Sequence, residues 1–277
     1  MEARSKLKMI FLYIVLCLFI LFALFPIYWA IITSFKAPSE IFSKVPTFFP
    51  KKFSFEGYAT LFLKTDYPVN LMNSLTVSLI VSFLSVFASM LAAYAIARLN
   101  FRGRGAMSRS MFYAYIMPKT LLFIPIYILI TTINLDNSIW GLIFIYPTLT
   151  IPYATWILAS YFKTIPYEIE EAAIVDGCSR LKSMFRIIFP LSVPGIISTF
   201  IFSISICWSE YLYALIIINR SYQKTVSLAL ADMIVGDYVA WGPLMGGAVI
   251  STIPITILYM LFSRFLVGGM VAGGVKG

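Results

Sequence analysis

The stretch EIEEAAIVDGCSRLKSMFRIIFP, from Glu168 to Pro190, gathers three glutamates, an aspartate and three basic residues around one glycine, in a chain that is 60% hydrophobic. Its chemistry is that of a contact. Pro166 suits the first turn of a helix, and the acids Glu168, Glu170 and Glu171 follow where the helix dipole favours negative charge. Gly177 can close the helix in a left-handed conformation. Ala172 and Ala173 leave one side of this short rod narrow enough for close approach, with Glu171 available to pair with a basic group. A second, basic helix from Ser179 to Phe189 then returns the chain at Pro190. Charges placed this way are also what a plain solvated loop carries, so the residues alone leave both readings open.

A second pair of charges, Lys119 and Glu210, lies inside apolar runs. A charge at mid-bilayer costs about 2.5–3.5 kcal/mol on insertion scales, so each must face a cavity or a partner. Either the two form an ion pair, or they stand on a substrate pathway. At 1.5 Å per residue along straight helices their backbones differ by roughly 9 Å in depth. A long lysine closes much of that gap, and the pair is the preferred reading. Trp208, Tyr211 and Tyr213 offer faces on which sugar rings could stack, against the plainer alternative of packing or an interfacial belt.

Other chemistries lack their residues. No GxxxxGK[ST] phosphate loop occurs, and FRGRGAMS has neither its lysine nor its spacing, so the chain is not expected to hydrolyse ATP. It has no histidine and three scattered cysteines, which argues against a zinc site and a disulfide framework. No catalytic residue, metal ligand or bound cofactor is expected.

The elements that must position these groups follow from composition. A mean hydropathy of +0.90 with 12% charged residues excludes a soluble globule. Six apolar spans, about 9–33, 71–97, 107–132, 139–162, 192–218 and 243–263, are expected to be helices, because hydrocarbon offers open backbone groups no partner. The fold class is thus an all-α membrane protein forming one domain over 1–277, with the charged loop at 163–190. The net charge of +9 reflects basic loops rather than a nucleic-acid footprint. Thirteen Lys and Arg residues fall on the side of the amino terminus and seven on the other, which predicts both termini and the charged loop in the cytoplasm. Prolines 118, 125, 147 and 152 predict kinks in spans three and four.

EAAIVDG, followed nine residues later by IIFP, resembles the EAA motif of permease subunits of binding-protein-dependent ABC importers, with Glu171, Ala172, Ala173, Gly177, Ile187 and Pro190 in place and Phe189 where the pattern has Leu. AAYAIARLNFRGR, WSEY and the terminal FLVGGMVAGGVKG resemble the carbohydrate branch, in particular the second membrane subunit of maltose-type systems. The resemblance implies a type I importer permease fold in a prokaryotic cell membrane. It implies that the EAA helix is a coupling helix seated on an ATPase. The implied partners are a second permease subunit in a heterodimer, an ATPase dimer that uses ATP and Mg, an extracytoplasmic solute-binding protein and membrane lipid, with no nucleic acid. The cargo implied is a sugar or oligosaccharide. A permease for another solute, such as a glycerophosphate or other anion, is the alternative, and an ATP-independent carrier a weaker one. The tail from Gly268 to Gly277 is too rich in glycine to fold alone, and in the family it reaches towards the ATPases.

Overall fold

The computed structural model describes residues 2–236 and 238–274, with side chains over 8–236 and 238–265. Helix α1 (Glu2–Ser34) is followed by a long loop carrying α2 (Pro38–Ile41) and α3 (Glu56–Leu63), then by α4 (Tyr67–Arg98) and α5 (Arg104–Ile116). A 3-10 turn at Lys119–Leu122 leads into α6 (Phe123–Thr132), and α7 (Ile139–Ile145) runs on into α8 (Pro147–Phe162). The charged loop holds α9 (Tyr167–Val175) and α10 (Arg180–Ser183), a π-helical turn at Met184–Ile188 and α11 (Phe189–Leu191). Next come α12 (Val193–Ser209), α13 (Leu212–Ile217) and α14 (Val226–Ala231). A two-stranded hairpin, β1 (Ile234–Val235) with β2 (Tyr238–Val239), precedes α15 (Trp241–Gly274).

Among the described residues, four helical runs are long and apolar enough to cross a membrane: Lys8–Ser34, Tyr67–Arg98, Ile139–Phe162 and Trp241–Phe265. Two bent pairs, Arg104–Ile116 with Lys119–Thr132 and Arg180–Leu191 with Val193–Ser209, turn by 95° and 76° at their breaks, and each counted as one span brings the number to six. The third span, expected over 107–132 with a kink at Pro118, is broken there rather than merely bent. Pro118 has no N–H to continue the ladder and biases Met117 to the extended φ −60°, ψ 129° that ends α5. The fifth, expected to run to 218, stops at Ser209 because Glu210 is also extended, and a separate short helix follows. The carboxyl tail is helical as far as Gly274, and the remainder of the tail lies outside the described residues.

The chain divides into two compact units: residues 1–68 with 230–253, and residues 69–229 with 254–277. In the first unit α3 and α15 cross at Gly57 and Gly242, where a Cβ on Gly57 would come within 2.8 Å of the Gly242 carbonyl carbon. The Tyr67 hydroxyl donates to the Gly247 carbonyl at 2.7 Å. Within the loop after α1, Lys36 donates to the Thr47 carbonyl and lies 4.7 Å over the Trp29 ring. The Thr47 hydroxyl and the Lys51 N–H both donate to Glu40, and the Thr47 bond leads the interactions that hold this carboxyl below its usual pKa.

The second unit is organised along α4. Ser74, Ser78, Ser82, Ser85 and Ser89 are all buried on one stripe, at helical spacings of four and three, so neighbouring backbones can approach closely. Ser85 meets Thr150 Oγ1 at 2.7 Å, and Ser74 Oγ accepts from the Val226 N–H at 2.7 Å. Apolar side chains form two clusters. One collects Val77 and Val81 of α4 with Ile130, Leu142, Tyr146 and Ile217. The other sets Ala93 and Ala97 against Leu158, Phe162, Ile188 and Phe189, and it is this second cluster that underlies the charged loop.

Candidate functional site: the charged loop and the broken spans

Helix α9 ends as its sequence predicts. Gly177 adopts φ +88°, the Cys178 N–H donates to the Ala173 carbonyl at 3.0 Å and the Gly177 N–H to Ile174 at 3.0 Å. That is a complete Schellman closure, and it satisfies carbonyls that would otherwise end free. Ser179 then caps α10, accepting from the Lys182 N–H at 3.3 Å. The basic helix expected over Ser179–Phe189 forms, but with one wide turn, in which the Phe189 N–H reaches back five residues to the Met184 carbonyl. Pro190 explains the turn: its ring would clash with the carbonyl four residues earlier, and a wider turn relieves that clash. Phe189 fills the position where Leu was expected and is buried, its ring 6.0 Å from Phe162 and 5.1 Å from Phe185.

The two faces of α9 differ. Glu170 and Ala173 are buried, whereas Glu171, Ala172 and Val175 are exposed. Ile187 is half-buried and Pro190 exposed. The inward face is pinned by a residue the sequence suggested only as a basic loop charge. Arg98, the last residue of α4, has its Nε 3.6 Å from Glu170 Oε2, with the side chains 1% and 7% exposed, an ion pair rather than a hydrogen bond. Its Nη2 donates to the carbonyls of Phe162 and Ile165, each at 2.7 Å, closing the end of α8. The Tyr94 hydroxyl, one helical turn earlier, donates to Glu170 Oε1. The Tyr167 ring lies 4.3 Å from the Arg98 guanidinium, and the Tyr167 hydroxyl donates to the Ala97 carbonyl at 2.7 Å. One arginine thus joins α4, α8 and α9. The signal in the sequence was the spacing of Tyr94 and Arg98, four apart on one helix face, opposite a paired Glu170–Glu171 of which only one can face outward. Beside this network a cleft of about 470 Å³ opens between Asn100, Phe101, Glu171, Ile174 and Arg180.

The expected ion pair of Lys119 with Glu210 does not form. Glu210 is buried, and both of its oxygens are used: Oε2 accepts from the Tyr146 hydroxyl at 2.8 Å and the Ala214 N–H at 3.2 Å, and Oε1 from the Tyr213 N–H at 3.0 Å. The break after Ser209 turns the side chain onto the start of α13, where a carboxylate meets unpaired N–H groups and the positive end of a dipole. Lys119 instead lines a cavity of about 510 Å³ with Tyr115, Thr148, Phe202 and Tyr213. Trp208 is buried on α12, and the half-buried Tyr211 packs against the first apolar cluster; neither lines this cavity. No group of three or more His, Cys, Asp or Glu side chains able to hold a metal ion occurs among the described residues.

The family described as binding-protein-dependent transport system inner membrane component matches residues 84–271. The chain is 38% identical over 277 residues to the inner membrane ABC transporter permease protein YcjP of Escherichia coli, covering 99% of both. It is 33% identical to the trehalose/maltose transport system permease protein MalG of Thermococcus litoralis, again over 99% of each, and 32% identical to the sulfoquinovosyl glycerol transport system permease protein SmoH of Agrobacterium fabrum, over 92% of this chain and 89% of that one. Among solved structures, a subunit of a bacterial ABC transporter involved in import of the acidic polysaccharide alginate superposes with a TM-score of 0.81 at 18% identity, over 94% and 96% of the two chains, a likeness of fold.

Proposed function

This chain belongs to the family of binding-protein-dependent transport system inner membrane components, and we propose that it forms half of the translocation pathway of an ATP-driven importer for a sugar or oligosaccharide, coupled to a partner ATPase through α9. The subunit is itself non-catalytic, as that family is. A second permease subunit would complete the pathway, a solute-binding protein would deliver the cargo, and an ATPase pair would use ATP and Mg. Relatives named for trehalose, maltose, diacetylchitobiose and sulfoquinovosyl glycerol transport support a sugar cargo.

The observation that carries the coupling role is the asymmetry of α9. A rod held from within by Arg98, Glu170 and Tyr94 presents Glu171, Ala172 and the 86% exposed Val175 outward. A groove on a partner can grip such a rod and move the spans with it, while Glu171 pairs with a basic group at the rim. Glu171→Ala and Gly177→Leu test this. A Cβ on Gly177 meets nothing within 4 Å in this chain, so Gly177→Leu costs only about 1–2 kcal/mol of left-handed strain and leaves the subunit assembled. The expected outcome for both is a subunit still in the membrane with solute uptake lost and ATP hydrolysis released from solute control. Normal ATP-driven uptake by the Gly177→Leu complex would sink the reading.

The same proposal puts both termini and α9 in the cytoplasm and the loop of residues 35–66 outside, from the excess of basic residues on one side. With Cys17, Cys178 and Cys207 replaced, a cysteine at Ser54 should react with an impermeant thiol reagent in intact cells and one at Ser179 should not. The reverse pattern would invert the topology.

A further inference from the structure

Among the charges inside the apolar spans, Glu210 is matched and Lys119 is not. Its Nζ has neither an acid nor an acceptor against it among the described residues, and the Tyr213 hydroxyl donates to its carbonyl, not to its side chain, at 3.5 Å. The side chain is exposed, at the 95° break between α5 and α6, where the chain turns aside and opens the cavity it lines. That cavity, about 510 Å³, is of the size of small-molecule sites, roughly 300–1,000 Å³. No acidic residue lines it. Three aromatic rings line it, Tyr115, Phe202 and Tyr213. Tyr153, outside the lining, packs against Tyr115 and Phe202 with centroids 5.2 and 3.9 Å away. A cation without a protein acceptor beside aromatic faces suits a sugar ring that carries an anionic group, the cargo class of the import reading narrowed by charge.

We infer that Lys119 forms an anion subsite on the translocation pathway, taking the carboxylate, sulfonate or phosphate of an acidic sugar while the ring lies against Tyr115 and Phe202. This rests on the import reading above and narrows its cargo to charged sugars. A neutral sugar gains nothing from the ammonium, whereas a charge-assisted hydrogen bond to it is worth about tenfold or more in affinity.

The test uses the complete importer, both permeases with the ATPase pair, purified in detergent, with digalacturonate and maltose as probes and the ligand-induced rise in Tm as the readout. Digalacturonate should stabilise the wild-type complex at concentrations where maltose does not. Lys119→Met should weaken that effect about tenfold or more, and Lys119→Arg should preserve it. Absence of a digalacturonate effect, or equal effects of the two sugars that survive Lys119→Met, overturns the proposal. So does dissociation of the two permeases on Lys119→Met, which would assign the lysine to a carboxylate of the partner subunit. Stimulation of ATP hydrolysis by the binding protein in the same preparation reads the import role separately, so the two readings fail independently.

Discussion

Arg98→Met should destabilise the subunit by about 3–5 kcal/mol, the loss expected when one member of a buried pair is removed and the other is left charged. Three elements lose their common partner at once. Glu170 keeps only the Tyr94 hydroxyl, and the carbonyls of Phe162 and Ile165 lose the donor that closes α8. Glu170→Ala should cost less, because Arg98 retains both carbonyls and the Tyr167 ring. Glu170→Gln should cost least, since its amide oxygen still accepts from Tyr94. Arg98→Met with Glu170→Leu should recover part of the loss, because no buried charge is left alone, although the two carbonyls and the Tyr94 hydroxyl lose their partners. Thermal unfolding of the purified importer complex measures the order, and strictly additive single and double effects would show that the pair is not the unit that holds α9.

Glu210→Ala should be comparably severe for a different reason. It strands the buried Tyr146 hydroxyl and the N–H groups of Tyr213 and Ala214, at about 1–3 kcal/mol for each group left unsatisfied. Glu210→Gln should be intermediate, because one side-chain oxygen remains and the amide nitrogen confronts donors. Lys119→Met should leave the yield of assembled permease unchanged. A Lys119→Met defect as deep as that of Glu210→Ala would return the two residues to a shared role.

The outline of the loop was legible because its determinants are local. A glycine seven residues after Glu170, acids in the first turn and a serine two residues beyond the glycine specify a capped helix and the start of the next one through neighbours in sequence. Pro190 announced the end of a helix, though not the wide turn by which the helix continues past it. What the sequence concealed was pairing over long separations. Arg98 and Glu170 are 72 positions apart, and a basic residue at the end of a span is read first as a topological charge. The link between Lys119 and Glu210 failed on geometry: depth counted at a fixed rise per residue presumes straight helices, and both residues sit at breaks. Once the chain turns at Pro118 and after Ser209, a carboxylate expected to look across to another span looks along the start of its own next helix.

The two-faced helix α9 also has a hereditary side. Its inward residue Glu170 has its partners, Tyr94 and Arg98, in this polypeptide, on α4, and so travels with them under one gene. Its outward residues, Glu171, Ala172 and Val175, on the role proposed above, meet a surface encoded by another gene. A recombination that moves this subunit into a different importer carries the first set of partners along intact and exchanges the second. The loop can therefore be kept in register with its own spans through any reshuffling of subunits, while its fit to a new motor must be found again, one turn of helix at a time.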